Sequence, residues 1–242
     1  MKLAAMSGRQ EGSWRGLIEV APLLPERSWC VVGGQMVFLY CCEREVAVNR
    51  PTDDGDVVLD VRARPEILHT FTAALKDIGF DSAGVSPEGH QHRWVRGEAQ
   101  IDVLIPTGLG ERAAKRQGVT GGTTLPTPGA QQALDRSAPI LVEVGEASGT
   151  VWRPSMIGAL VAKAAAYSMG DAARDRHLVD FAVLASKVTR SDGLADHLTQ
   201  RDRQHLFPML SALGAHRALW VMVDGAERGI DVVGRVVGIG TP

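Results

Sequence analysis

Apolar residues follow two rhythms along the chain. In the first part, short apolar runs alternate with helical stripes; in the second, helical spacing takes over. The first dozen residues, rich in Gly, Ser and Gln, read as a frayed start. Trp14, Leu17, Ile18, Ala21 and Leu24 then recur at helical spacing up to Pro25. Residues 28–32 (SWCVV) form a short apolar run that stops at Gly33-Gly34, the pattern of a buried strand, and a helix is expected over 35–44. A polar turn at 49–52 precedes a second strand over 56–61. Residues 65–79 fit a helix, with Pro65 in its first turn and Ile67, Leu68, Phe71, Leu75 and Ile78 as its stripe. Residues 92–96 and 99–105 read as a β-hairpin around Gly97-Glu98. The Gly- and Thr-rich stretch 107–128 is expected to be a mobile loop, and 140–144 and 150–153 to be short strands.

From Pro154 the pattern is helical over 156–169, 172–187, 194–213 and 215–228. Gly170 and Gly193 mark breaks, Pro208 should kink or split the third helix, and 231–242 is a weakly specified tail. The resulting fold class is α/β (α+β): a mixed β-sheet core over residues 1–154, followed by a C-terminal α-helical domain over 155–242.

Composition narrows the function classes. At 242 residues, 45% hydrophobic and 22% charged, the chain resembles an average globular protein and excludes a collagen-like repeat, a disulfide scaffold and a disordered tract. No uninterrupted apolar run approaches the length of a membrane span, so no membrane role is expected. Residues 1–13 lack the layout of a secretory signal, and an odd count of three cysteines fits a reducing compartment, so a cytoplasmic setting is expected; Cys30, Cys41 and Cys42 have no metal-ligand spacing. A net charge of −2 argues against a surface that is basic throughout and leaves room for a local basic patch.

Three segments carry candidate chemistry. Gly33-Gly34 joins a strand to a helix, where bare backbone can approach a phosphate and the helix start favours an anion; turn geometry alone also explains the pair. Thr52-Asp53-Asp54-Gly55-Asp56 leads into a strand. Residues two apart in an extended chain share a face, so Asp54 and Asp56 can converge on a divalent ion such as Mg²⁺. An acidic surface turn reads equally well from this segment. A calcium loop does not, because the glycine precedes the last aspartate and no Glu closes the loop. The third is Asp102, inside the apolar strand Ile101-Asp102-Val103. A neighbouring strand could set it beside Asp54 and Asp56, where three carboxylates would need a cation, as in two-metal phosphoryl transfer.

With these segments the sequence resembles the nucleotidyltransferase superfamily, and within it the AbiEii-like and MenT-like toxins. The likeness rests on Val32-Gly33-Gly34, on Arg50-x-Thr52-x-Asp54-x-Asp56 and on Asp102 in a later strand. It continues in the helical half, through Lys163 after Ile157-Gly158-Ala159-Leu160-Val161 and through Arg174-Asp175-Arg176-His177-Leu178-Val179-Asp180. The ordered set spans about residues 28–185. A glycine replaces the serine of the wider superfamily at position 34, and His177 stands where relatives often carry an acidic residue.

The resemblance implies a nucleotidyltransferase-like mixed sheet followed by a helical domain. It also implies a Mg²⁺-dependent (or Mn²⁺-dependent) enzyme that moves a nucleoside monophosphate from an NTP to an acceptor. Gly33, Gly34 and Thr52 would hold the nucleotide; Asp54, Asp56 and Asp102 would bind metal, Asp102 alternatively acting as a base; Lys163 and Arg174 would contact phosphates; Asp180 would orient one of them. The implied acceptor is a tRNA 3′ end, and the implied partner an antitoxin protein. A protein-modifying (AMPylating) enzyme and an inactive nucleotide- or partner-binding module are the alternatives. Without the resemblance, Lys163, Arg174 and Arg176 would read as solvated helix charges. For an RNA acceptor, Arg112, Lys115 and Arg116, with Arg93 and Arg96 on the hairpin, are the candidate phosphate contacts.

Overall fold

The computed structural model describes residues 1–46, 52–169 and 174–238. Arg50, the turn around it, Gly170 and the start of the 172–187 helix lie outside the described residues. The chain divides into two compact units, 1–154 and 155–242, each described by itself below.

In the first unit the start is ordered earlier than its composition suggests. Leu3 N–H bonds to the Glu143 carbonyl at 3.0 Å. Helix α1 (Gly8–Val20) then begins at Ser7, whose hydroxyl accepts the Gln10 N–H, one of the donors a helix start leaves over. Trp14 and Leu17 are fully buried. The helix stops before Pro22, not at Pro25: a residue without an N–H cannot continue the ladder, and the backbone tightens into a 3-10 turn over Ala21–Leu23.

Strand β1 (Trp29–Val31) runs directly into α2 (Gly33–Glu43), and then come β2 (Asp54–Leu59), α3 (Ile67–Asp77), β3 (Asp81–Ser82), β4 (Arg93–Arg96) and β5 (Ala99–Pro106). A short α4 (Glu111–Ala114), β6 (Leu125–Thr127) and α5 (Ala130–Asp135) follow, then a separate hairpin of β7 (Ser137–Val144) and β8 (Ala147–Pro154). The main sheet is mixed, in the order β1-β2-β5-β4-β3, with β6 pairing the last residues of β5. β2 lies parallel to β5, while β1 and β4 are antiparallel to their neighbours. The later residues of the central strands are apolar, with Val57, Val58, Val103 and Ile105 buried, while their earlier residues carry Asp54, Asp56 and Asp102.

The stretch 107–128 differs from the expected open loop. It carries α4 and β6, and Val119 N–H is held 2.9 Å from the Thr72 hydroxyl of α3. Thr124 is buried and donates to the Val103 carbonyl. Side-chain and ladder hydrogen bonds therefore tie down a segment whose Gly content alone suggests freedom.

The second unit is helical: α6 (Met156–Tyr167), α7 (Arg174–Ser186), α8 (Leu194–His197), α9 (Gln200–Ala215) and α10 (Ala226–Val237). Pro208 sits inside α9 without ending it. The break falls earlier, at Thr199, where a capping box with Asp202 starts α9: the Thr199 hydroxyl accepts the Asp202 N–H at 3.2 Å and the Asp202 carboxylate accepts the Thr199 N–H at 2.8 Å. Residues 216–225 are not the expected α-helix but hold a 3-10 turn over Arg217–Leu219, and most of the supposed tail is α10. Its glycines and valines have weak intrinsic helix propensity, so tertiary packing decides its state. A β-carbon at Gly229 would stand 2.0 Å from the Ala185 carbonyl oxygen, so α10 lies against α7 only because that residue has no side chain. Among the described residues no helix is long and apolar enough to cross a membrane.

Candidate metal centre

The acidic site is built by strand register. Asp56 on β2 is paired with Asp102 on β5, and Asp54 with Gln100. On the other side of β5, Arg93 of β4 is paired with Asp102. Residues opposite one another on neighbouring strands share a face, so Asp56, Asp102 and Arg93 form one row across three strands. Asp54 joins this face by its two-residue spacing from Asp56. The three carboxylates can each present an oxygen within 4.8 Å of the other two. Asp102 is buried, while Asp54 and Asp56 are partly exposed.

The glycine pair closes on this cluster. Gly33 has φ +61°, and a β-carbon there would stand 1.7 Å from Asp56 Oδ2; one at Gly34 would stand 2.5 Å from Thr52 Oγ1. Bare backbone is what lets the first turn of α2 sit beside the carboxylates. Thr52 in turn donates to Asp54 Oδ1 at 3.0 Å, fixing that carboxylate.

Helix α1 and a buried glutamine hold the approach to β2. Gln35 is fully buried; its side-chain oxygen accepts from Trp14 Nε1 at 2.8 Å and from Gln10 Nε2 at 3.0 Å, and its amide donates to the Thr52 carbonyl at 2.9 Å. Ser13 donates to the Asp53 carbonyl at 2.8 Å and accepts the Gln100 N–H at 3.1 Å, linking β2 to β5 beside the site. Ser7 reaches the Asp53 carboxylate at 2.6 Å.

Arg93 supplies the positive charge at the site. Its Nε and Nη2 bond to Asp102 Oδ1 and Oδ2 at 3.0 and 2.9 Å, a two-pronged ion pair. The hydrogen bonds to Asp102 raise the guanidinium pKa above its ordinary value, against the opposing effect of partial burial, and the charges of Asp102, Asp54 and Asp56 add to the rise. The Gln100 side-chain oxygen, turned toward the guanidinium, accepts from Nε and Nη2 at 3.0 and 3.1 Å. Arg93 thus belongs to the acidic site and not to a free basic surface. Arg96 is likewise engaged, with Glu19 at 2.5 Å and the Ile78 carbonyl at 2.7 Å. Arg116 donates to the Val61 carbonyl. Lys115 pairs with Glu111, and Arg112 is exposed, lining with His69 and Arg116 an open groove of about 570 Å³.

The donor set suits a hard divalent cation. Three carboxylates offer oxygen ligands only, more negative charge than one arginine balances, and an open side where water or phosphate can complete a coordination shell. Among the described residues no other group of three or more His, Cys, Asp or Glu side chains comes close enough to share an ion.

In the helical unit, Lys163 Nζ lies 2.7 Å from Asp180 Oδ2, and both side chains are buried. This pair joins α6 to α7 and gives each charge its counterion. Arg174 instead stacks its guanidinium over the Tyr167 ring, 4.3 Å from the centroid.

No protein-family model matches the chain. No curated protein sequence matches it either. Among solved structures it is similar to an antigenic nucleotidyltransferase-like protein from Paracoccidioides brasiliensis, at 13% identity, over 89% of this chain and 94% of that one, with a TM-score of 0.51. At that identity the likeness is one of fold, and the mixed sheet with its helical unit is a nucleotidyltransferase-like fold.

Proposed function

We propose that the chain is a divalent-metal-dependent nucleotidyltransferase that moves a nucleoside monophosphate from an NTP to an acceptor hydroxyl. The observation that carries this reading is the convergence of Asp54, Asp56 and Asp102 within 4.8 Å, directly beside Gly33, in a nucleotidyltransferase-like fold. In the reaction the acceptor oxygen forms a bond to the α-phosphorus, the bond to the β-phosphate oxygen breaks, and pyrophosphate leaves. The hydroxyl proton passes to a carboxylate of the cluster or to solvent.

Asp54, Asp56 and Asp102 would hold Mg²⁺ or Mn²⁺, which when bound neutralises charge on the phosphates and lowers the pKa of an oxygen it touches. The rest is the work of the chain. Gly33 and Gly34 let the N–H groups at the start of α2 approach the phosphates, where the helix end favours an anion. Thr52 orients Asp54 through its hydroxyl, and Gln35 and Ser13 fix the backbone on which both stand. Preorganised donors of this kind contribute because they do not have to be arranged during the reaction. Lys163, positioned by Asp180, and Arg174 are the proposed phosphate contacts from the helical unit.

The finer reading follows the resemblance to AbiEii-like and MenT-like toxins: a cytoplasmic enzyme acting on a tRNA 3′ end and restrained by a cognate antitoxin. It is supported by the order of the motifs from Val32 to Asp180. The test is incubation with each α-labelled NTP, Mg²⁺ and either total RNA or cell lysate. Label in RNA of tRNA size supports the reading. Label in protein replaces the acceptor with a side chain, and no label with any NTP overturns the enzyme in favour of a binding module.

A further inference from the structure

One member of the carboxylate set already has a cationic partner. Both oxygens of Asp102 accept hydrogen bonds from Arg93, at 3.0 and 2.9 Å. The two partners are unequally placed: the Asp102 side chain is 8% exposed and that of Arg93 is 44% exposed. A buried carboxylate on a central strand has nowhere to go. A half-exposed guanidinium at the start of β4 can turn toward water and keep its hydration. A cation approaching Asp102 competes with Arg93 for the same two oxygens, and of the two partners it is the more exposed Arg93 that can yield.

From this asymmetry, and resting on the metal-dependent reading above, we infer that Arg93 is a resident counterion: it neutralises Asp102 while no metal is bound and is exchanged for the divalent ion when one enters. Asp54, Asp56 and Asp102 crowded together repel one another, and the Arg93 charge offsets that repulsion in the metal-free protein. The same charge then opposes an incoming cation, both by occupying the oxygens and by Coulomb repulsion. Arg93 therefore lowers metal affinity while keeping the empty site stable. Gln100, whose amide oxygen lies at 3.0–3.1 Å from the same guanidinium nitrogens, gives Arg93 a partner that survives the exchange. Once displaced, the guanidinium stays beside the cluster as a positive group next to any bound polyphosphate.

A merely structural arginine would predict weaker or unchanged metal binding on its removal; a resident counterion predicts the reverse. The test is a Mn²⁺ titration of the full chain by electron paramagnetic resonance, comparing wild type with Arg93→Gln and Arg93→Lys, together with thermal melting with and without Mn²⁺. Removing a charge-assisted pair from the competition should tighten Mn²⁺ binding by about tenfold in Arg93→Gln. Arg93→Lys, which keeps the charge and loses the two-pronged geometry, should fall between. The metal-free Arg93→Gln protein should melt below wild type and gain more from Mn²⁺. Should Arg93→Gln fail to fold, tighter binding by Arg93→Lys supports the exchange in its place. Mn²⁺ binding by wild type that is unchanged or weakened in the folded variants overturns the exchange and leaves the metal site standing. Absence of Mn²⁺ binding in wild type and variants alike overturns the metal site, and the exchange with it.

Discussion

Gly33 approaches Asp56 so closely that a β-carbon at position 33 would stand 1.7 Å from the carboxylate oxygen, and its backbone is already left-handed at φ +61°. The start of α2 and the acidic strand β2 are therefore built as one unit, in which the glycine makes room for the carboxylate. Gly33→Ala should cost about 1–2 kcal/mol from the backbone conformation alone, and more from the overlap. It should also push Asp56 out of the cluster. Gly8→Ala, at the start of α1 where nothing lies within 4 Å, is the control and should leave Mn²⁺ binding unchanged and stability equal or raised by up to about 1 kcal/mol. Urea unfolding and a Mn²⁺ titration of the two variants check this.

Replacing Gln35 should cost stability. Its side chain satisfies Trp14, Gln10 and the Thr52 carbonyl in a fully buried position. Gln35→Leu leaves three polar groups without partners and should destabilise the protein by about 2–4 kcal/mol. Chemical denaturation measures it; a loss below about 0.5 kcal/mol would mean that water replaces the amide.

The buried pair Lys163–Asp180 separates stability from function. Lys163→Met takes the ammonium group away from the buried Asp180 carboxylate and should cost about 3–5 kcal/mol. The double variant Lys163→Met, Asp180→Leu should recover most of that, since an apolar pair of similar size avoids the desolvation of both charges. If Lys163 contacts nucleotide phosphates, the double variant is stable and its nucleotide KM is raised. A stable double variant with wild-type kinetics assigns the pair to folding alone.

Much of this architecture can be read from the sequence, and the unread parts share a physical cause. The hairpin around Gly97-Glu98 has a two-residue turn, and counting back from it places Arg93 opposite Asp102. The ion pair is thus legible locally, although composition alone makes Arg93 an RNA contact. The pairing of Asp56 with Asp102 is a parallel contact between strands separated by α3 and the hairpin, so spacing suggests it only as a possibility. The structure brings these strands together. The hydrogen bonds from α1, its cap and α2 to the start of β2 leave no periodic signal, because they run from Ser7, Ser13 and Gln35 to single backbone or side-chain atoms. Helix α10 is invisible for a different reason: its glycines make sense only against the neighbouring helix.

Thiol chemistry offers an independent check on the core. Burial pushes the Cys30 thiol far above its ordinary pKa, with the Asp60 charge adding to the rise; burial raises Cys42 as well. A raised thiol pKa means less thiolate at any pH below it, so neither should react rapidly with a disulfide reagent at about pH 8 in the native protein. Both should react once the chain is unfolded in guanidinium. A fast stoichiometric reaction of the native chain at Cys30 would contradict the buried β1.

An RNA acceptor would need a local basic surface, and the structure narrows the candidates. Arg93, Arg96 and Arg116 are engaged elsewhere in the fold, which leaves Arg112, lining the groove with His69, and the exposed Lys115, paired with Glu111 one turn away. Arg112→Glu with Lys115→Glu should change stability by less than about 0.5 kcal/mol. Label transfer to RNA should fall and its salt dependence flatten, because fewer phosphate contacts release fewer counterions. Transfer that is indifferent to both the reversal and added salt points to a small or protein acceptor.

Asp56→Asn removes a charge from the Asp54–Asp56–Asp102 cluster and keeps the side-chain volume, so it separates a cluster that carries nucleotidyl transfer from one that does not. The measurement is pyrophosphate release from the four NTPs with Mg²⁺ and total RNA, run beside thermal melting of the same samples. Wild type should release pyrophosphate from at least one NTP, and Asp56→Asn should fall to the level without enzyme while melting as a folded protein. Release by Asp56→Asn at the wild-type rate would contradict a catalytic role for the cluster.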